Sequence, residues 1–105
     1  MTDLDPETFE AEKYVDYFPK LQQAYKNAFN RVNERYDAEL VHAIDQQVLN
    51  ESEPHYEGDG EFSIELPDDP YDRLEGVLAD REKFDVVLDA YLEEIETELQ
   101  RVFDV

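Results

Sequence analysis

A chain of 105 residues without cysteine has no disulfide framework, thiolate metal site or cysteine nucleophile, and at this length one core burying roughly 60–70% of the unfolded surface leaves nothing for a second domain. The 29 Asp and Glu against 9 Lys and Arg give a formal net charge of -20, which disfavours nucleic acid as a partner because phosphate affinity comes from Lys and Arg displacing counterions. No run nears the ~20 apolar residues that span a bilayer, and the acidic start MTDLDPETFE is unlike a secretory signal, so no membrane is expected and the expected compartment is the cytoplasm.

Pro is favoured in the first helical turn, where its missing N–H costs nothing, so Asp5-Pro6, Phe18-Pro19 and Asp69-Pro70 read as helix starts. The first helix is predicted to run to about Phe18, with Phe9, Tyr14, Val15, Tyr17 and Phe18 as a ragged aromatic face. From Pro19, Leu21, Ala24, Tyr25, Ala28, Phe29, Val32 and Tyr36 fall on one helical stripe. Leu40, Val41, Ile44 and Val48 continue the period to about Leu49, either in the same helix or in a second one capped by Asp37. Pro54 and Gly58-Asp59-Gly60 are turn formers, and Phe62, Ile64 and Leu66 alternate with polar residues, which predicts a hairpin pairing about 55–57 with 61–66. Pro70–Glu75 reads as a helical turn stopped by Gly76, and Val77–Ala79 as a third short strand. Asp80 then caps a long helix whose Phe84, Val87, Leu88, Tyr91, Leu92, Ile95, Leu99, Val102 and Phe103 share a face. The expected product is a single α+β, mostly helical domain over residues 1–105, with two long amphipathic helices, an N-terminal helix and a short β-hairpin packed on them.

The stretches Tyr17–Asn30, Leu40–Pro54, Tyr56–Phe62 and Pro70–Leu74 resemble a family of small acidic haloarchaeal proteins classified as a domain of unknown function. The resemblance implies a high-salt archaeal cytoplasm and carries no activity or catalytic residue. The charge agrees with it, since a net charge of -20 repels itself at ordinary ionic strength, whereas at ~1 M salt the screening length falls to about 3 Å. Disorder, the other reading of such a charge, is opposed by an aromatic content of 12% and by the helical periods.

Catalytic constellations are thin, and no catalytic residue, cofactor or metal is assigned. His42 has Glu39 and Asp45 three residues to either side, which would suit a small metal-dependent enzyme, but any residue of so acidic a chain has such neighbours. His55 reads as a packing or edge residue of the hairpin. Ser52 and Ser63, the only serines, lie in no nucleophile elbow, and Gly58-Asp59-Gly60 lacks the lysine of a phosphate loop. The pairs Asp68-Asp69 and Glu93-Glu94 read as solvated surface.

Charge is unevenly spread. Residues 1–36 hold seven acids and five bases, a net of -2, so -18 of the -20 lies in residues 37–105. Within residues 19–36 the sign reverses, four bases standing against Glu34, and amides occupy positions filled elsewhere by carboxylates. Lys20, Gln23, Lys26, Asn27, Asn30 and Arg31 are therefore the candidate binding residues on a neutral-to-basic ridge. Either the ridge packs inside the bundle, its bases pairing with the acidic C-terminal helix, or it contacts another molecule. The favoured function is a non-catalytic interaction or regulatory protein docking a protein partner there, with a homodimer left open. The alternatives are an RNA- or ribosome-associated factor using Lys20, Lys26, Arg31, Tyr25 and Tyr36, and the metal-dependent enzyme around His42.

Overall fold

The computed structural model describes residues 4–105; Asp3, counted above among the N-terminal acids, lies outside them. Helix α1 spans Pro6–Glu12, with Asp5 as its N-cap accepting the Thr8 N–H at 2.8 Å. It stops well before Phe18, correcting the longer helix expected there. Phe9 and Tyr17 stand 6.3 Å apart between ring centroids, and both rings lie against Phe103. Eight residues of straight helix would separate them by about 12 Å along the axis, so the chain must turn between them. The turn closes with the Tyr17 N–H donating to the Glu12 carbonyl, leaving Phe9 buried while Tyr14 and Val15 face solvent.

Helix α2 (Phe18–Arg35) buries Leu21, Ala24, Ala28 and Val32. The chain is extended at Tyr36, and Asp37 caps α3 (Ala38–Gln47) by accepting the Glu39 N–H at 3.0 Å, so two helices form rather than one. Helix α4 (Arg81–Phe103) is capped by Asp80, which accepts the Lys83 N–H at 2.7 Å. At its other end Asp104 adopts a left-handed conformation, φ 56°, and its N–H and that of Val105 close the last turn. Lys20 meets Phe103, Asn27 meets Glu98 and Arg35 meets Glu94, so α2 and α4 run antiparallel along their apolar stripes. Fully buried Ala24 and Ala28 let the backbones approach where Tyr91, Ile95 and Leu99 fill the core.

Strands β1 (Glu53–Gly58) and β2 (Glu61–Glu65) form the antiparallel hairpin, pairing Tyr56 with Phe62 and bulging before Gly58. It begins two residues earlier than predicted, and it is the only sheet of this α+β, mostly helical fold among the described residues. Gly58, Asp59 and Gly60 all have positive φ, which is why glycine flanks the tip. The Gln100 amide donates to the Gly60 carbonyl at 2.8 Å and fastens the tip to α4, while buried Tyr56 and Phe62 pack on Phe9.

Val77–Ala79 does not form the expected strand. The Tyr71 hydroxyl donates to the Ala79 carbonyl at 2.7 Å, Val77 and Ala79 lean on the core, and Leu78 is wholly exposed. A two-in, one-out pattern arises here from a side chain holding the backbone rather than from a sheet edge.

Candidate functional site

The six ridge residues separate by flank. Toward α4, the Asn27 amide donates to Glu98 Oε1 at 3.1 Å, and Arg31 Nε lies 3.3 Å from Glu98 Oε2 and 3.9 Å from Glu94. Arg35 reaches Glu94 at 3.3 Å, and Arg101 lies 3.5 Å from Glu98 Oε2. Glu98 is completely buried. Its Oε2 is held by these two guanidinium charges without an aligned hydrogen bond, so the carboxylate depends on Asn27, Arg31 and Arg101 together.

The other ridge residues are exposed. Lys20 stands 5.3 Å from the Phe103 ring centroid, and Gln23 donates to Asn27 at 2.7 Å. Phe18, Gln22, Lys26 and Asn30 recur every four residues and form a solvent-facing ladder along α2. Among the described residues Lys26 is the one base with neither a carboxylate within ion-pair distance nor an aromatic ring beneath it.

The ladder's aromatic end borders a groove of about 480 Å³ lined by Tyr14, Phe18, Leu21, Gln22 and Tyr25 on one side and Asp45, Leu49, Asn50, Ser52 and Pro54 on the other. Tyr14 and Phe18 meet edge to face, 6.3 Å between centroids, and both are exposed. The Tyr25 hydroxyl lies 3.3 Å from Ser52 Oγ, and burial pushes its pKa up to about 12, so it stays a neutral phenol. One Asp45 oxygen accepts the Tyr91 hydroxyl at 3.0 Å. Burial, with Asp45 beside it, raises the Tyr91 pKa in turn.

A second constellation joins α1 to the hairpin. Lys13, 2% exposed, directs its ammonium at Glu10 (2.8 Å), Glu53 (2.6 Å) and the Pro54 carbonyl (3.1 Å), which matches its three N–H donors. Burial opposes that charge, but the bonds to Glu10 and Glu53 outweigh it and hold the Lys13 pKa above its usual value. His55 bridges Glu10 (Nδ1, 2.6 Å) and Glu65 (Nε2, 3.0 Å). The Glu10 bond, followed by Glu65, raises the His55 pKa against partial burial, and Lys13 and His55 lower that of Glu10.

Glu10, Glu53 and His55 place potential ligand atoms within 4.8 Å of one another, the one such group of three among the described residues. The Lys13 ammonium already bonds both carboxylates. His42, Glu39 and Asp45 do not gather: His42 is exposed and set edge-on to Phe29 at 4.8 Å, while Asp45 holds Tyr91. Ser52 donates to the Leu49 carbonyl and Ser63 to Glu57. Glu94 pairs with two arginines, and Asp69 takes a left-handed conformation ahead of Pro70.

Sequence reasoning passed over Lys13 and Glu98, although both left a signal. Lys13 sits four residues after Phe9, on its face. Glu98 continues the alternating four-and-three spacing of Phe84, Leu88, Tyr91 and Ile95, a core position filled by a charge.

The architecture is that of a small α+β, mostly helical protein with an aromatic groove beside a helix whose outer face is exposed. The chain belongs to DUF5783, a family of unknown function whose model matches residues 1–105. No curated protein and no solved structure matches it. No helix among the described residues is long and apolar enough to cross a membrane.

Proposed function

We propose that this chain is a non-catalytic interaction protein of a high-salt, haloarchaeal cytoplasm, which docks a protein partner on the outward face of α2. The observation that carries the reading is the Phe18, Gln22, Lys26 and Asn30 ladder. In a chain of net charge -20, with 29 Asp and Glu in its sequence, Lys26 stands exposed with no carboxylate within ion-pair distance among the described residues. A short helical face that combines an aromatic end, amides and an exposed ammonium suits a protein surface bearing hydrogen-bond acceptors. Arg31 and Asn27 support the same surface from behind by fixing α2 to Glu98.

The RNA-associated alternative draws on Lys20, Lys26, Arg31, Tyr25 and Tyr36, but Arg31 is already paired with the buried Glu98. Among the described residues, His42 joins no group of three potential metal ligands, which speaks against an enzyme around it. The net charge supports the high-salt setting, since only strong screening lets such a surface pack closely.

The test is affinity capture at molar KCl with wild type and with the Lys26→Ala/Asn30→Ala double variant. A specific protein partner recovered by wild type and lost by a variant of unchanged melting temperature supports the reading. Equal recovery by both removes α2 as the docking face.

A further inference from the structure

We propose that the groove beside the start of α2 receives an arginine side chain presented by the protein partner. This rests on the docking reading of α2 and adds the chemistry of the anchor. Three aromatic residues, Tyr14, Phe18 and Tyr25, line the groove together with Asp45. Tyr91 takes only one Asp45 oxygen, and the second has no hydrogen-bond partner among the described residues. An apolar anchor would seal that oxygen from water without a donor, a costly desolvation. A guanidinium supplies the donors, and its planar face also stacks on aromatic rings, a combination an ammonium does not match.

The surrounding charges agree. Helix α3 ends at the groove, with Asp45 in its last turn, and its C-terminal end carries roughly half a negative charge that offsets the opposite end of α2. The full charge of Asp45 then decides the sign. Lys13 lies 5.5 Å from the Tyr14 ring centroid, but its charge is matched by Glu10 and Glu53. The same protein already sets Arg81 over Tyr71, at 5.4 Å from the ring centroid. The groove's volume of about 480 Å³ holds one long side chain with the backbone that carries it.

The experiment is an NMR titration of the full chain, at molar KCl, with three blocked tripeptides whose central residue is arginine, lysine or leucine. The expected result is saturable shifts at Phe18, Tyr25 and Asp45 for the arginine peptide, with about tenfold weaker binding of the other two. Asp45→Asn keeps an acceptor for Tyr91 and should weaken arginine binding about tenfold; exposed Tyr14→Ser should weaken it without touching the core, and serves if Asp45→Asn does not fold. Equal or tighter binding of leucine or lysine, an arginine affinity indifferent to these variants, or no saturable shift would each overturn the proposal. Groove shifts that grow with protein concentration before any peptide is added would assign the occupant to a second copy and overturn it too. None of these results touches the docking reading, which fails separately if Lys26→Ala/Asn30→Ala leaves capture unchanged.

Discussion

The two flanks of α2 carry similar residues and have different duties. On one, Asn27 and Arg31 meet the buried Glu98 and Arg35 meets Glu94; on the other, Gln22, Lys26 and Asn30 are exposed and make no side-chain hydrogen bond or ion pair among the described residues. Amides and bases replace carboxylates on both. On the inner flank the replacement follows from electrostatics, since a buried carboxylate on α4 requires donors opposite it. No such requirement acts on the outer flank, and that is why its composition bears on function. Substitutions that treat the flanks alike would erase the distinction, and substitutions that separate them would sharpen it.

The largest effect is expected from the apolar seam that both flanks border. Ile95 is completely buried between the helices, so Ile95→Ala should lose about 2–5 kcal/mol in denaturant unfolding at molar salt, setting the scale for the rest. A loss close to zero would mean that α2 and α4 do not share this core in solution.

On the inner flank, Arg31→Ala leaves Glu98 buried with Asn27 and Arg101. Arg31 is 42% exposed, so solvent already screens the pair, and a loss of about 1–3 kcal/mol is expected rather than that of a dry ion pair. Glu98→Met removes the buried charge itself and lets Arg31 hydrate, so it should lose less than Arg31→Ala. The reverse order would show that the carboxylate, not its burial, holds the flank together.

The clasp between α1 and the hairpin gives a pH signature of its own. His55 has a raised pKa in the folded protein, so its contribution is fully present below the unfolded value and is lost as pH rises through the folded one. Glu10, lowered by Lys13 and then His55, contributes above its unfolded value and is lost as pH falls through the folded one. Amide protection in β1 and β2 should therefore be greatest between those two titrations and decline above the raised His55 pKa. His55→Gln should abolish the upper decline, and a decline that persists in this variant would locate the titrating group elsewhere.

The long elements were legible because repetition carries them: α2 and α4 each repeat one apolar stripe over many turns, and Asp5, Asp37 and Asp80 mark starts that the structure reproduces as caps. Where a single long-range contact decides, local pattern fails. The end of α1 is set by Phe9 and Tyr17 converging on Phe103, and Val77–Ala79 is held by the Tyr71 hydroxyl. The candidate site divides in the same way. A helical wheel gathers Lys20, Gln23, Lys26, Asn27, Asn30 and Arg31 on one helix, but which of them are engaged depends on a glutamate about seventy residues away, at a position whose spacing belonged to the core. The groove draws its walls from Tyr14 and the start of α2 and, opposite them, from Asp45 near the end of α3 and the segment that follows, whose approach no local period encodes.

The smallest effect is the most discriminating, because it compares one residue type at two sites. Asn27 and Asn30 are three residues apart, yet Asn27 donates to a fully buried carboxylate and Asn30 is exposed. Asn27→Ala withdraws a donor from a charge that water reaches poorly and should lose about 1–3 kcal/mol. Asn30→Ala removes no buried partner and should stay within about 0.5 kcal/mol of wild type. Lys26→Ala should do the same, or slightly better at molar salt, where its attraction to distant carboxylates is screened. Thermal unfolding of the three variants, read by helical circular dichroism, measures the difference directly. Were Asn30→Ala to melt as early as Asn27→Ala, the outer face would be part of the folded interior, and a partner lost by that variant would reflect unfolding rather than a vacated docking surface.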